Sequence, residues 1–264
     1  MEMEVRILFC QPTLSLSGSE NSLLEILMGL SSRVRRENLI VLAGSDGPML
    51  EMYSKYATVY IINAPKLRRN LRSIFGFLRS FLPVYKMIKC IDKDIIYVNT
   101  LMFPQAFIAG FLNRVPVIVH LREVESTYGR TAYFIYTLLA RVCSRHLIAV
   151  CNYIFQQRTV SLINNAFSLR KKSVVHNWTS GNHAERYRLI KDKVDILAVI
   201  PISSRKGIFD LINSSVMLRN IYPPVPFCIH VIGRMADSAT MDQVSHLLKI
   251  HNLEDVIILY GEQQ

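Results

Sequence analysis

The stretch "ISSRKGIFDL" sets Arg205 and Lys206 side by side between a strand-like run and a helix-like run. Two cations at a helix amino end oppose the helix dipole, which is a poor arrangement for helix stability. It becomes sensible if an anion such as a diphosphate sits there, held by the helix end and both side chains. Gly207 would let the backbone approach that anion closely. In "VPVIVHLRE", His120 and Arg122 stand two apart on an expected strand, so their side chains share one side. They fall at its carboxyl end, where open α/β sheets bind ligands. There His120 can hydrogen-bond or move a proton, and Arg122 can hold an anionic group. A buried histidine followed by a helix-capping Glu123 explains the same residues without chemistry.

"PTLSLSGSENSLLEIL", Pro12 to Leu27, leads from a strand-like run into a leucine-rich helix through a loop with one glycine, Gly18. A dinucleotide fingerprint needs three spaced glycines there, so a nicotinamide enzyme is not expected. Gly18 is either a phosphate-approaching residue or a turn before a helix capped by the box Ser22 to Glu25. Residues 66–93 carry eight basic side chains against one acid, Asp92. Leu71, Ile74, Phe75, Leu78, Phe81 and Leu82 recur among them at helical spacing. Such a helix suits an anionic membrane surface, where each basic group contributes on the order of 1 kcal/mol. It also suits a crossover helix with solvated arginines. No motif for nucleic acid accompanies the charge, so no nucleic-acid partner is expected.

Elements that could position these residues alternate along the chain. Strand candidates are "VRILF", "NLIVLA", "TVYII", "DIIYVN", "PVIVHL", "HLIAV" and "SVVHN". Amphipathic stretches lie between them near Leu23–Arg33, Leu67–Ile91, Phe103–Leu112, Ala132–Cys143 and Ile154–Leu162. This alternation predicts an α/β fold with a doubly wound parallel sheet. Residues 177–193 are polar and break the rhythm, which restarts with "VDILAVI", "KGIFDLINSSVMLRN", "PFCIHVI", "MDQVSHLLKIHN" and "DVIILY". The expected organisation is a first domain over 1–178, a linker over 179–193 and a second, smaller unit over 194–264.

Bulk composition narrows the class. The net charge of +11 lies wholly in residues 1–180, which hold 22 Lys and Arg against 11 Asp and Glu. That asymmetry suggests two units with different partners. Five scattered cysteines without a CxxC pair fit reduced thiols and neither a disulfide framework nor a zinc site. The amino terminus reads as no secretory signal, and no apolar window reaches the roughly 20 residues of a membrane span. A cytoplasmic protein is expected.

Taken in order, these stretches resemble retaining glycosyltransferases of the GT-B fold, specifically the nucleotide-sugar-dependent family 4. "ILFCQPTLSLSGSENSLLEIL" resembles the family's first strand and Gly-Gly-x-Glu loop, with Ser17-Gly18-Ser19-Glu20 in that place. "DIIYVNTLMFPQAFIAGFLNRVPVIVHLRE" resembles the mid-domain strand, helix and strand, "SVVHNW" the strand before the linker, and "ILAVIPISSRKGIFDLI" the start of the donor domain. The resemblance implies an acceptor domain and a donor domain, each Rossmann-like, with the site in the cleft between them.

By that resemblance Gly18, Arg205 and Lys206 would meet the donor phosphates, and His120 and Arg122 would be the catalytic pair. The family's histidine at the end of "VIVHL" corresponds to His120 or to the position of Arg122. Ser19, Glu20, Asn99 and Glu123 would be further cleft residues. No metal is implied, and the nucleotide-sugar is a co-substrate, not a resident cofactor. The acceptor would be a polysaccharide or lipid-linked glycan at the cytoplasmic membrane face. The sequence departs from the pattern at Ile200-Pro201, where Gly-Arg is frequent, and in its single loop glycine. Glu254 and Glu262 have the spacing of the family's glutamate pair, but "DVIILYG" between them reads as a strand that would hold them apart. The second unit is therefore expected to be only the first half of a donor domain, complemented by another chain if active. The rival expectation is a non-catalytic membrane-surface or partner-binding protein.

Overall fold

The computed structural model describes residues 4–64, 71–166, 171–177, 194–221 and 226–263. The chain divides into two compact units, Met1–Asn182 and His183–Gln264. The expected linker, 179–193, lies outside the described residues.

Seven parallel strands form the sheet of the first unit: β1 (Ile7–Gln11), β2 (Leu39–Ala43), β3 (Thr58–Ile61), β4 (Ile95–Val98), β5 (Val117–Leu121), β6 (His146–Ala149) and β7 (Lys171–Val174). Their order is β3-β2-β1-β4-β5-β6-β7, which places the reversal of winding at β1 and β4. The first-unit helices are α1 (Gly18–Ser31), α2 (Leu50–Ser54), α3 (Leu71–Cys90), α4 (Pro104–Leu112), α5 (Glu125–Tyr128), α6 (Arg130–Cys143), α7 (Asn152–Gln156) and α8 (Arg158–Ala166). Alternation along the strands builds two cores. Leu8, Cys10, Ile96 and Val98 join Val84 and Ile88 of α3 and Phe107 of α4 on one side. Phe9, Leu39 and Val41 join Leu23 and Leu27 of α1 and Tyr53 of α2 on the other.

Two boundaries correct the sequence reading. Helix α1 begins at Gly18, with Ser17 as the extended residue before it, so Ser22 lies within the helix and the Ser22–Glu25 capping box does not exist. The last strand of this sheet is Lys171–Val174, shifted toward the amino end of "SVVHN", because its ladder pairs His146 with Lys171 and Ala149 with Val174. The basic stretch 66–93 is helical over Leu71–Cys90, and residues 66–70 lie outside the described residues.

The second unit holds β8 (Val194–Val199), α9 (Ile208–Ile221), β9 (Phe227–Ile232), α10 (Ser238–Ile250) and β10 (Ile257–Gly261), in the parallel order β10-β9-β8. Ile208 and Ile212 of α9 and Val244 and Leu248 of α10 pack with Ile229, Val231 and Ile257 in one core. The opposite face of this sheet carries Leu197 and Val199, which are exposed. At Gly233 φ is +155°, and a Cβ would meet the Ile200 carbonyl oxygen at 2.2 Å, so only glycine lets β9 close against the chain leaving β8. Strand β10 separates Glu254 from Glu262, as the sequence predicts.

Candidate active site

The loop between β1 and α1 is organised around one carboxylate. Glu20 is 1% exposed. Its Oε1 accepts from Thr13 Oγ1 at 2.6 Å and from Ser15 Oγ at 3.0 Å. Its Oε2 accepts from Ser19 Oγ at 2.6 Å and from Ser17 Oγ. Burial acts to raise the pKa of this carboxyl, but the four hydroxyl donors outweigh it and hold the group below its ordinary value. Glu20 is therefore an ionised, fully occupied acceptor that shapes the loop and is not available as a base. Gly18 has φ outside the left-handed region, and a Cβ there would meet nothing within 4 Å. The conformation does not demand glycine; the space beside it is open.

Behind that loop, Asn99 joins it to β5. The buried Asn99 Nδ2 donates to Gln11 Oε1 and to the Ser19 carbonyl, each at 2.8 Å. Its Oδ1 accepts from Arg122 Nε at 3.0 Å, and Arg122 Nη1 donates to Asn177 Oδ1 at 2.6 Å. One asparagine thus fixes both the Ser17–Glu20 loop and the guanidinium.

The Arg122 charge acts to lower the pKa of the nearby Tyr97 phenol, which is itself in contact with His120 Nδ1. In that contact either the phenol O–H donates to Nδ1 or Nδ1–H donates to the phenol oxygen, according to the ring tautomer. His120 Nε2 has no hydrogen-bond partner among the described residues. Burial, with the Arg122 charge adding to it, lowers the His120 pKa to about 3. Burial pushes the Tyr97 phenol up to about 12. His120 at neutral pH is therefore an uncharged imidazole.

Tyr97, His120, Arg122 and Asn177 line a cavity of about 180 Å³ together with Ser22 and Glu25 of α1. The shared side expected for His120 and Arg122 is what the structure shows. Glu123, next along, caps no helix. It accepts from Thr100 Oγ1 and from the Leu101 and Arg122 backbone N–H groups, at 3.3 and 3.2 Å for the latter two. Burial raises its pKa to about 7, against the pull of those donors. Tyr97 and Asn177 were not found from sequence. A tyrosine in the otherwise aliphatic "IIYV" is the one signal, since a buried parallel strand rarely carries a polar tip without a partner. Tyr97→Phe should remove about 1 kcal/mol of stability, the typical net value of one hydrogen bond. It should also shift the His120 tautomer balance, read from its ring nitrogen shifts.

In the second unit, Ser204–Lys206 form one 3₁₀ turn, closed by Gly207 at φ +82° ahead of α9. The two cations therefore sit one turn before the helix expected to carry them. Both are exposed and make no ion pair among the described residues. Ser203 precedes the turn in extended conformation and gives no side-chain cap.

No family model matches the sequence, and no curated protein sequence does. Solved structures do match. Anabaena HepE, in complex with UDP and glucose, is 16% identical with a TM-score of 0.74, over 99% of this chain and 70% of that one. The lipopolysaccharide outer core galactosyltransferase WaaB is 13% identical with a TM-score of 0.67, over 98% and 68%. A UDP-forming α,α-trehalose-phosphate synthase from Burkholderia xenovorans is 12% identical with a TM-score of 0.66, over 99% and 74%. At such identities the likeness speaks for architecture, and the architecture is an α/β fold of GT-B type, with a seven-stranded Rossmann-like first unit and a second unit of three parallel strands.

Proposed function

We propose that the chain is a retaining, nucleotide-sugar-dependent glycosyltransferase of the family 4 type, acting on a polysaccharide or lipid-linked acceptor. The observation that carries this reading is the exposed Arg205–Lys206 turn, without an ion pair among the described residues, between the first strand and first helix of the second unit in a GT-B fold. When the anomeric C–O bond to a nucleoside diphosphate breaks, negative charge grows on the departing diphosphate, and stabilising it is the main catalytic task. Lys206, with Arg205, supplies that stabilisation. His120 hydrogen-bonds a sugar oxygen through Nε2, in the cavity it lines with Tyr97 and Arg122. HepE, whose structure contains UDP and glucose, supports a uridine nucleotide as the first donor to try.

Calorimetric titration of the whole chain with UDP, GDP and their sugar conjugates tests the reading. One nucleotide should bind with a dissociation constant of about 1 μM to 1 mM, the range in which enzymes commonly meet their substrates. No heat with any of them would overturn it.

Helix α3 favours a second component. Phe75, Leu78 and Leu82 are 69%, 64% and 55% exposed, and Arg79, Lys86 and Lys89 are exposed beside them. At 100° per residue all six fall on one stripe, opposite the side buried through Val84 and Ile88. No helix among the described residues is long and apolar enough to cross a membrane. An apolar stripe edged with cations fits an anionic bilayer surface instead, and a peripheral place at the inner membrane face belongs to the proposal. Sedimentation with phosphatidylglycerol vesicles should carry the chain down, and Phe75→Ser with Leu78→Ser should release it. Vesicle binding without nucleotide binding would instead support the non-catalytic, membrane-surface reading.

A further inference from the structure

The uncovered face of the second sheet holds a group of side chains with no part in the reading above. Asp195 on β8 and Cys228 on β9 are register partners, so their side chains stand side by side on one face. His230 follows Cys228 by two residues and points to the same face. One ligand atom from each of Asp195, Cys228 and His230 lies within 4.8 Å of the others. His230 Nε2 is 3.2 Å from Asp195 Oδ1. Its Nδ1 is 2.8 Å from the Tyr260 hydroxyl on β10, whose ring stacks on the imidazole at 5.6 Å between centroids.

We propose that Asp195, Cys228 and His230 form a binding site for a borderline-soft divalent cation, Zn2+ above all. The donor set decides the metal. A thiolate and an imidazole suit Zn2+, whereas Mg2+ and Ca2+ take oxygen ligands. Two of the donors are anionic in the bound state, the carboxylate and the thiolate, so Zn2+ leaves the site neutral. Three protein ligands leave the fourth tetrahedral position for water, which the half-exposed Asp195 side of the site admits. Tyr260 acts as the outer partner. With Nδ1–H donated to its hydroxyl, the imidazole presents the Nε2 lone pair toward Asp195, as metal-bound histidines are commonly held. Binding displaces the Cys228 thiol proton to solvent, so affinity rises with pH. Sequence alone hides this site, because one ligand is 33 residues from the next and no CxxC or HxxxH spacing marks it.

Titration of the metal-free 264-residue chain with Co2+ and then Zn2+ tests the site. Co2+ should bring up thiolate-to-cobalt charge-transfer absorption, saturating near one metal per chain and abolished by an equivalent of Zn2+. Cys228→Ser should remove the absorption, and Cys151→Ser, at a partly buried thiol elsewhere, should leave it intact. Asp195→Asn changes a half-exposed side chain without disturbing the core, and should weaken Zn2+ by more than tenfold. Tyr260→Phe should weaken it by about 10-fold to 100-fold, the usual range for an outer-sphere partner. No charge-transfer band in the unmodified chain, or a band that survives Cys228→Ser, would overturn the proposal.

Discussion

Lys206→Ala should lower turnover with a nucleotide-sugar by about 10²-fold to 10³-fold, the scale seen when one stabiliser of a developing oxyanion is removed. The reasoning starts from local geometry. Ser204–Lys206 make a 3₁₀ turn, in which successive side chains are about 120° apart, so Arg205 and Lys206 do not present to one point. Lys206→Ala and Arg205→Ala should therefore be unequal, and a single phosphate contact should pass mainly through one of the two side chains. If Lys206 meets charge that grows only as the bond breaks, kcat falls more than KM rises. Lys206→Arg keeps the charge and should restore part of the rate. Equal kinetics for all four chains, measured as nucleoside diphosphate released, would remove Lys206 and Arg205 from the chemistry.

Glu20→Gln should cost about 2 kcal/mol of stability, within the range for hydrogen bonds to a charged group. The carboxylate accepts from four hydroxyls of the loop it closes, and a carboxamide offers one oxygen in place of two. The pH dependence has a definite sign. Because the folded-state pKa is depressed, the stabilisation is present above the ordinary value of 4.5 and is lost as pH falls through the lower folded value. Urea unfolding at neutral pH should thus separate the two chains, and the gap should close on acidification below the folded value. A gap that stays constant with pH would show that the charge of Glu20 contributes nothing.

Much of the architecture was legible because parallel strands buried on both faces must be continuous apolar runs. "NLIVLA" and "VIVHL" are readable as strands for that reason, and their alternation with helices leaves few topologies. The start of α1 was not legible, since Ser17-Gly18-Ser19-Glu20 and Ser22-Leu23-Leu24-Glu25 have the same Ser-x-x-Glu spacing. Burial chose between them: Glu20 turns inward onto hydroxyls, while Leu23 and Leu27 take the core face. His120 and Arg122 were found from strand alternation, but their roles depended on Tyr97, which sits one strand away on β4. Asn177 lies 55 residues from the guanidinium it holds, a separation no local pattern records.

The interior place of β1, between β2 and β4, has a consequence for how the chain matures. Ile7 pairs with Leu39 on one side and with Ile95 on the other. At about 5–20 residues per second, a ribosome needs on the order of ten seconds to deliver the second partner after the first. During that interval the nascent β3-β2-β1 ribbon presents "ILFC" as a bare apolar edge beside the exit tunnel. The nascent chain is therefore most open to edge-to-edge association while β1 waits for β4.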